Sequence, residues 1–200
     1  MAIRYGASAV GLVSAMPSGP GPIEEKTIAE IAGQIPPGVA SFLLTSKLDA
    51  TSIVAQQRRT RTNTLQIVDK VSFDALKTLR EELPGVSLVQ VVHVRGPESL
   101  GEAMAVAPHV DALLLDSGNP ASDVKVLGGT GRTHDWNISR QICERAPVPV
   151  FLAGGLRPEN VREAIDLVRP YGIDVCTGVR TNGSLDERKI SAFFGSIPTP

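Results

Sequence analysis

Asp116 closes an apolar run, Ala-Leu-Leu-Leu-Asp, at residues 112–116. A carboxyl group at such a strand end is partly removed from water, which raises its pKa and lets it donate a proton near neutrality. The same position also suits a carboxylate that caps a loop turn. Further along, two strand-to-helix turns are rich in glycine. "FLAGGLRPENV" holds Gly154 and Gly155, and "CTGVRTNGSLDERK" holds Thr177 and Gly178. Main-chain N–H groups bared by glycine beside the positive end of a helix dipole make a cradle for phosphate. Two tight turns without a ligand would use the same residues. Between the acid and these turns runs "GNPASDVKVLGGTGRTHDW", residues 118–136, with Gly129 and Gly131 in its glycine cluster. A loop of this length inside a compact domain is expected to cover or build a site. The chemistry suggested is proton transfer on a small molecule held by its phosphate.

Elements that would position these groups are legible as alternating patterns. Short, nearly continuous apolar runs at 9–15, 40–46, 64–69, 88–94, 112–117, 148–155 and 172–178 read as parallel strands covered on both faces. Segments with helical spacing separate them. Ile23, Ile28, Ile31 and Ile35 share one face, as do Phe73, Leu76, Leu79 and Leu83 after a capping Ser72. Pro158 is expected in the first helical turn of a segment that carries Val161, Ile165 and Val168 inward. This order selects an α/β fold with right-handed crossovers. A doubly wound sheet places its glycine-rich turn after the first strand. Here the glycines follow the late strands, where a (β/α)8 TIM barrel builds its phosphate site. The barrel is therefore the expected fold, with seven of its eight strands evident. Met1–Tyr5 reads as the end of a helix stopped by Gly6, which implies a strand ahead of it. Either the chain begins after the first strand or that strand is absent. An open barrel exposes two strand edges, so a homodimer through them is expected.

Length and composition bound the partners. At 200 residues the expectation is one domain, 1–200. A net charge of −1 and a pI near 6.3 supply no global attraction for nucleic acid or an anionic membrane. No apolar run approaches the roughly 20 residues that span a bilayer. Cys143 and Cys176 stand far apart without CxxC spacing, which fits a reducing, cytoplasmic setting with both thiols packed as apolar groups. His93, His109 and His134 lack metal-ligand spacing, so no metal is expected and they are assigned surface or loop roles. The basic run "QQRRTRT" at 56–62 reads as a solvated helix end.

Taken together, "GASAVGLV", "LLLDSG…GGTGRTHDW" and "PVFLAGGLRPENVREAIDLVRPYGIDVCTGVRTNGSLDERKISAFF" resemble the phosphoribosylanthranilate isomerases of tryptophan biosynthesis. The resemblance is dense from Ala112 onward and elsewhere is mainly one of element order. It implies a (β/α)8 barrel performing an Amadori rearrangement of a phosphosugar, an aldose–ketose isomerisation without cofactor or metal. In that family an aspartate ending the sixth barrel strand protonates the furanose ring oxygen, and Asp116 matches it. The phosphate would be held by Gly154, Gly155, Thr177 and Gly178, while Gly129 and Gly131 would line the substrate. Gln66 matches a strand-four glutamine near the substrate, although Ile67, Val68 and Asp69 replace the usual continuation. Two departures stand out. The family's general base is a cysteine on the first strand, which Cys143 and Cys176 do not replace. Its anthranilate-binding arginine follows strand two, where this chain reads "SAMPSGPGPI". Two other readings share these residues: isomerisation of a related N-glycoside phosphate with a different aglycone, and a phosphosugar-binding barrel.

Overall fold

A computed structural model of the chain describes residues 1–17, 21–118 and 133–198. Strands β1 (Ala9–Val13), β2 (Ala40–Thr45), β3 (Thr64–Ile67), β4 (Ser87–His93), β5 (Ala112–Asp116), β6 (Val150–Leu152) and β7 (Gly172–Ile173) form one parallel sheet. Their order in the sheet is their order in the chain. A doubly wound sheet would reverse that order at a switch point; here every crossover advances the same way, and the sheet curls. The curl brings Phe42 of β2 and Phe151 of β6 edge to face at 6.3 Å, although three strands separate them.

Helices α1 (Glu25–Ala32), α2 (Ala50–Thr60), α3 (Phe73–Glu82), α4 (Glu98–Val106), α5 (Trp136–Arg145), α6 (Val161–Val168) and α7 (Glu187–Gly195) lie in the connections and after the last strand. Alternate strand residues feed two apolar clusters. Leu43, Leu65, Leu113, Leu115 and Leu152 pack with the helices, while Val89, Val91, Ala112, Leu114 and Ala153 fill the concave side. Burial on both faces explains the unbroken apolar runs.

Several local expectations need adjusting. The strands stop short of the apolar runs, most of all β7, because the chain leaves the sheet early to build the turns at its rim. Ser72 caps α3 by accepting from the Ala75 amide at 3.1 Å, and Leu76, Leu79 and Leu83 are buried. Phe73 does not join them; it is 49% exposed and stacks on His109 at 4.5 Å. α6 begins at Val161 rather than Pro158. The Asn160 side chain accepts from the Arg157 amide and donates to the Gly155 carbonyl, holding 155–160 in a turn that the helix cannot enter. The basic run is only half solvated. Arg58 and Arg59 pair with Glu82 and Glu25 at the surface, whereas Gln56, Gln57, Thr60 and Thr62 are buried. Beyond β7, Asn182 and Gly183 take positive φ and turn a short hairpin, β8 (Arg180–Thr181) with β9 (Ser184–Leu185).

Residues Ala2–Tyr5 form a 3-10 turn ended by Gly6 at φ 104°, as expected. This turn rests on α7, where the Tyr5 hydroxyl donates to a Glu187 carboxylate oxygen at 3.1 Å. The outer layer thus runs on from α7 to the start of the chain. In the sheet, β1 and β7 are the two edge strands among the described residues.

Candidate active site

Register places a row of inward-facing groups along the carboxyl ends of four strands. His93 pairs with Asp116 across β4 and β5. One residue beyond the Leu115–Leu152–Ile173 pairing, the same row continues through Ala153 to Asp174. The Ala153 amide donates to the Leu115 carbonyl at 2.7 Å and the Asp174 amide to the Leu152 carbonyl at 2.8 Å, which extends the ladder to this row. Leu114, Phe151 and Ala153 belong with the concave cluster, so alternation turns Asp116 and Asp174 to the concave side too.

Asp116 is 8% exposed, and one carboxylate oxygen accepts from the Ser117 amide at 2.7 Å. Burial raises its pKa above the ordinary carboxylate range, opposed by the Ser117 hydrogen bonds and by the charge of His93. Asp174 is reached by solvent at the sheet edge. The protein crowded around it, and then the charge of Asp116, push its carboxyl up to about 6. His93 is buried; its Nε2–H lies 2.9 Å from the Val68 carbonyl, and its Nδ1 has no hydrogen-bond partner among the described residues. The surface or loop role expected for His93 is therefore corrected: the alternation of β4 carries it inward at the end of the strand.

The glycine turns adjoin this row. Gly154 and Gly155 take φ of 84° and 66°, a left-handed pair that leaves the backbone of this turn bare. A Cβ on Gly154 would stand 3.0 Å from Asp116 Oδ1 and from the Ser117 amide nitrogen. At Gly178, within the 3-10 turn Thr177–Val179, a Cβ would stand 1.9 Å from the Leu156 carbonyl oxygen. The two turns are thus in direct contact, and the first also touches the acid. Asp116, Gly154, Gly155, Thr177 and Gly178 make one continuous rim.

Of the other sequence candidates, one lies deeper along the same concave face. Gln66 is buried, and it pairs through Val89 with Ala112, four residues before Asp116. On β5 one inward-facing residue, Leu114, separates its level from that of the acid. Gly129 and Gly131 lie outside the described residues. Asp174 and His93 were missed by motif reading, because each becomes relevant only through its neighbours across the sheet. Inward alternation from Phe151 and Leu114 would have been the usable signal for Asp174.

Beside Ser117 a cavity of about 370 Å³ is lined by residues that include Arg95, Gly118, His134 and Asp135. His134 forms a 2.7 Å hydrogen bond with Ser139, and burial lowers its pKa to about 4. Cys143 packs against the core from α5, and burial raises its thiol to about 11. Burial also raises that of Cys176. Neither thiol is poised as a thiolate. Among the described residues, no group of three or more His, Cys, Asp or Glu side chains has metal-binding geometry, and no helix is long and apolar enough to cross a membrane.

The family model for N-(5'phosphoribosyl)anthranilate (PRA) isomerase matches residues 43–196. This chain belongs to the PRA isomerase family. The N-(5'-phosphoribosyl)anthranilate isomerase 2 of Methanosarcina mazei is 36% identical over 195 residues, covering 96% of this chain and 85% of that protein. Among solved PRA isomerases, that of Thermotoga maritima superposes with a TM-score of 0.82 at 27% identity, covering 98% of this chain and 90% of the other. Another, solved in complex with reduced 1-(o-carboxyphenylamino)-1-deoxyribulose 5-phosphate, gives 0.80 at 25% identity, covering 98% and 89%. Membership in the PRA isomerase family agrees with the curled sheet of parallel strands and with the barrel expected from the sequence.

Proposed function

We propose that this chain, folded as one domain, isomerises N-(5'-phosphoribosyl)anthranilate to the corresponding aminoketose phosphate. The observation that carries the reading is the contiguity of a buried acid with two bare glycine turns. Main-chain amides of Gly154, Gly155 and Gly178, with the Thr177 hydroxyl, hold the phosphate. Asp116, protonated because it is buried, gives its proton to the ring oxygen as the ring C–O bond breaks. The nitrogen lone pair forms the C=N bond of the open-chain iminium. Transfer of the proton from the second sugar carbon to a base then gives an enolamine, and protonation of the first carbon with loss of the enol proton gives the ketone. Substrate and product have the same atoms, so no cofactor is consumed. Gln66, Gly129 and Gly131 are assigned to the substrate-lining surface. The same reading places the protein in the cytoplasm and pairs two copies through the edges of β1 and β7.

Purified protein supplied with N-(5'-phosphoribosyl)anthranilate should convert it, and expression should restore growth without tryptophan to a strain lacking this isomerase. Tight binding of the reduced product analogue with no turnover and no complementation would overturn the catalytic reading in favour of a phosphosugar-binding barrel. Light scattering at micromolar concentration should report a dimer.

A further inference from the structure

Two carboxylates stand in one inward-facing row with only Ala153 between them. Neighbouring strands lie about 4.8 Å apart, so the Cα atoms of Asp116 and Asp174 are separated by about 10 Å, and a concave sheet tips their side chains together. Ala153 and the following Gly154 place no bulky or charged side chain between them. From β4, His93 faces Asp116. Among the described residues, Cys176 lies on the far side within electrostatic reach of both carboxyls and of Arg180, which directs a guanidinium nitrogen to the Gly183 carbonyl.

We propose that Asp174 is a positioning residue for the acid: its carboxylate, facing Asp116 across Ala153, keeps the transferable proton on Asp116 until the substrate arrives. Repulsion between two carboxylates is reciprocal, so each favours the proton on the other and the pair titrates as a unit. The charge of Asp116 raises the Asp174 carboxyl, which shows the two groups within electrostatic reach of each other, while burial accounts for the elevation of Asp116 itself. His93 acts in the opposite sense, because positive charge beside Asp116 favours the carboxylate. The row therefore holds two counteracting controls on one proton donor, from β4 and from the residue that follows β7. As a statement about catalysis the proposal rests on the isomerase reading; as a statement about Asp116 it does not.

The test separates the two. Carbon-13 titration of the Asp116 carboxyl in ligand-free protein should show its midpoint falling by roughly half a pH unit or more in Asp174→Asn, the size expected of a unit charge at this distance in a partly screened site. Asp174→Glu should keep it near the wild-type value. His93→Gln should raise it. In the isomerase assay, the alkaline limb of the kcat/KM profile should shift downward by the same interval in Asp174→Asn. Asp174→Ser provides the same comparison if the asparagine variant folds poorly. An unchanged Asp116 midpoint and limb, even with turnover reduced, would overturn the proposal and leave Asp174 as a substrate contact or a support of its loop. A midpoint that falls in a protein showing no isomerase activity would uphold the coupling and sink the enzymatic reading alone.

Discussion

The middle of the sheet and its late edge solve different problems. In β3 and β5 every residue is buried, and the side chains alternate between the helix-facing and concave clusters. β6 and β7 are three and two residues long, and they hand over at once to left-handed glycines and a 3-10 turn. Strand length in the middle accumulates apolar burial; early departure at the edge exposes main-chain amides. The two aspartates of the rim row show the same contrast. Asp116, on a central strand, is almost sealed, whereas Asp174, after the edge strand, meets solvent. Residues of one type thus differ because of the strands that deliver them.

That contrast breaks most sharply at Asp116. Asp116→Asn removes the proton donor with little change of shape, so turnover should fall about 10²- to 10⁴-fold while the circular dichroism spectrum is kept. Residual activity near wild type would reassign the acid. Leu113, fully buried in β5, tests the other half: Leu113→Ala should cost about 2–5 kcal/mol in denaturant unfolding and leave kcat near its original value. Gly178→Ala should divide its effect differently. Its Cβ would overlap the Leu156 carbonyl, so about 1–3 kcal/mol of stability should go together with at least a tenfold loss of affinity for inorganic phosphate.

Acid and base titrations of stability sharpen the comparison further. The folded-state pKa of Asp174 is raised to about 6 from an unfolded value near 3.9, so its contribution is present below the unfolded value and is lost as pH rises through 6. Asp174→Asn should therefore melt near the wild-type temperature at pH 4 and above it at pH 8. His134 runs oppositely. Its pKa is lowered to about 4, so stability present above pH 6.5 should be lost as pH falls toward 4, and His134→Gln should flatten that loss in thermal melts. Smallest of all is Gly101→Ala in α4, where a Cβ meets nothing within 4 Å. It should stabilise the fold by about 0.5–1 kcal/mol, measured by denaturant midpoint, with no change in turnover.

Residues close in the chain carried most of what could be read in advance. The alternation of apolar runs with helical faces, the cap at Ser72, the stop at Gly6 and the two glycine turns depend on local spacing and backbone freedom, so they are visible in order along the sequence. Asp116 was also visible, because one carboxyl ending a run of leucines conflicts locally with burial. Strand ends were less legible, since β7 stops where its chain meets the neighbouring turn rather than where hydrophobicity falls. Nothing in local spacing says that Gly178 must admit the Leu156 carbonyl, that His93 faces inward beside the acid, or that Asp174 shares its row. Those relations arise from register between strands separated by tens of residues, and register is set only when the sheet curls and both of its faces are packed.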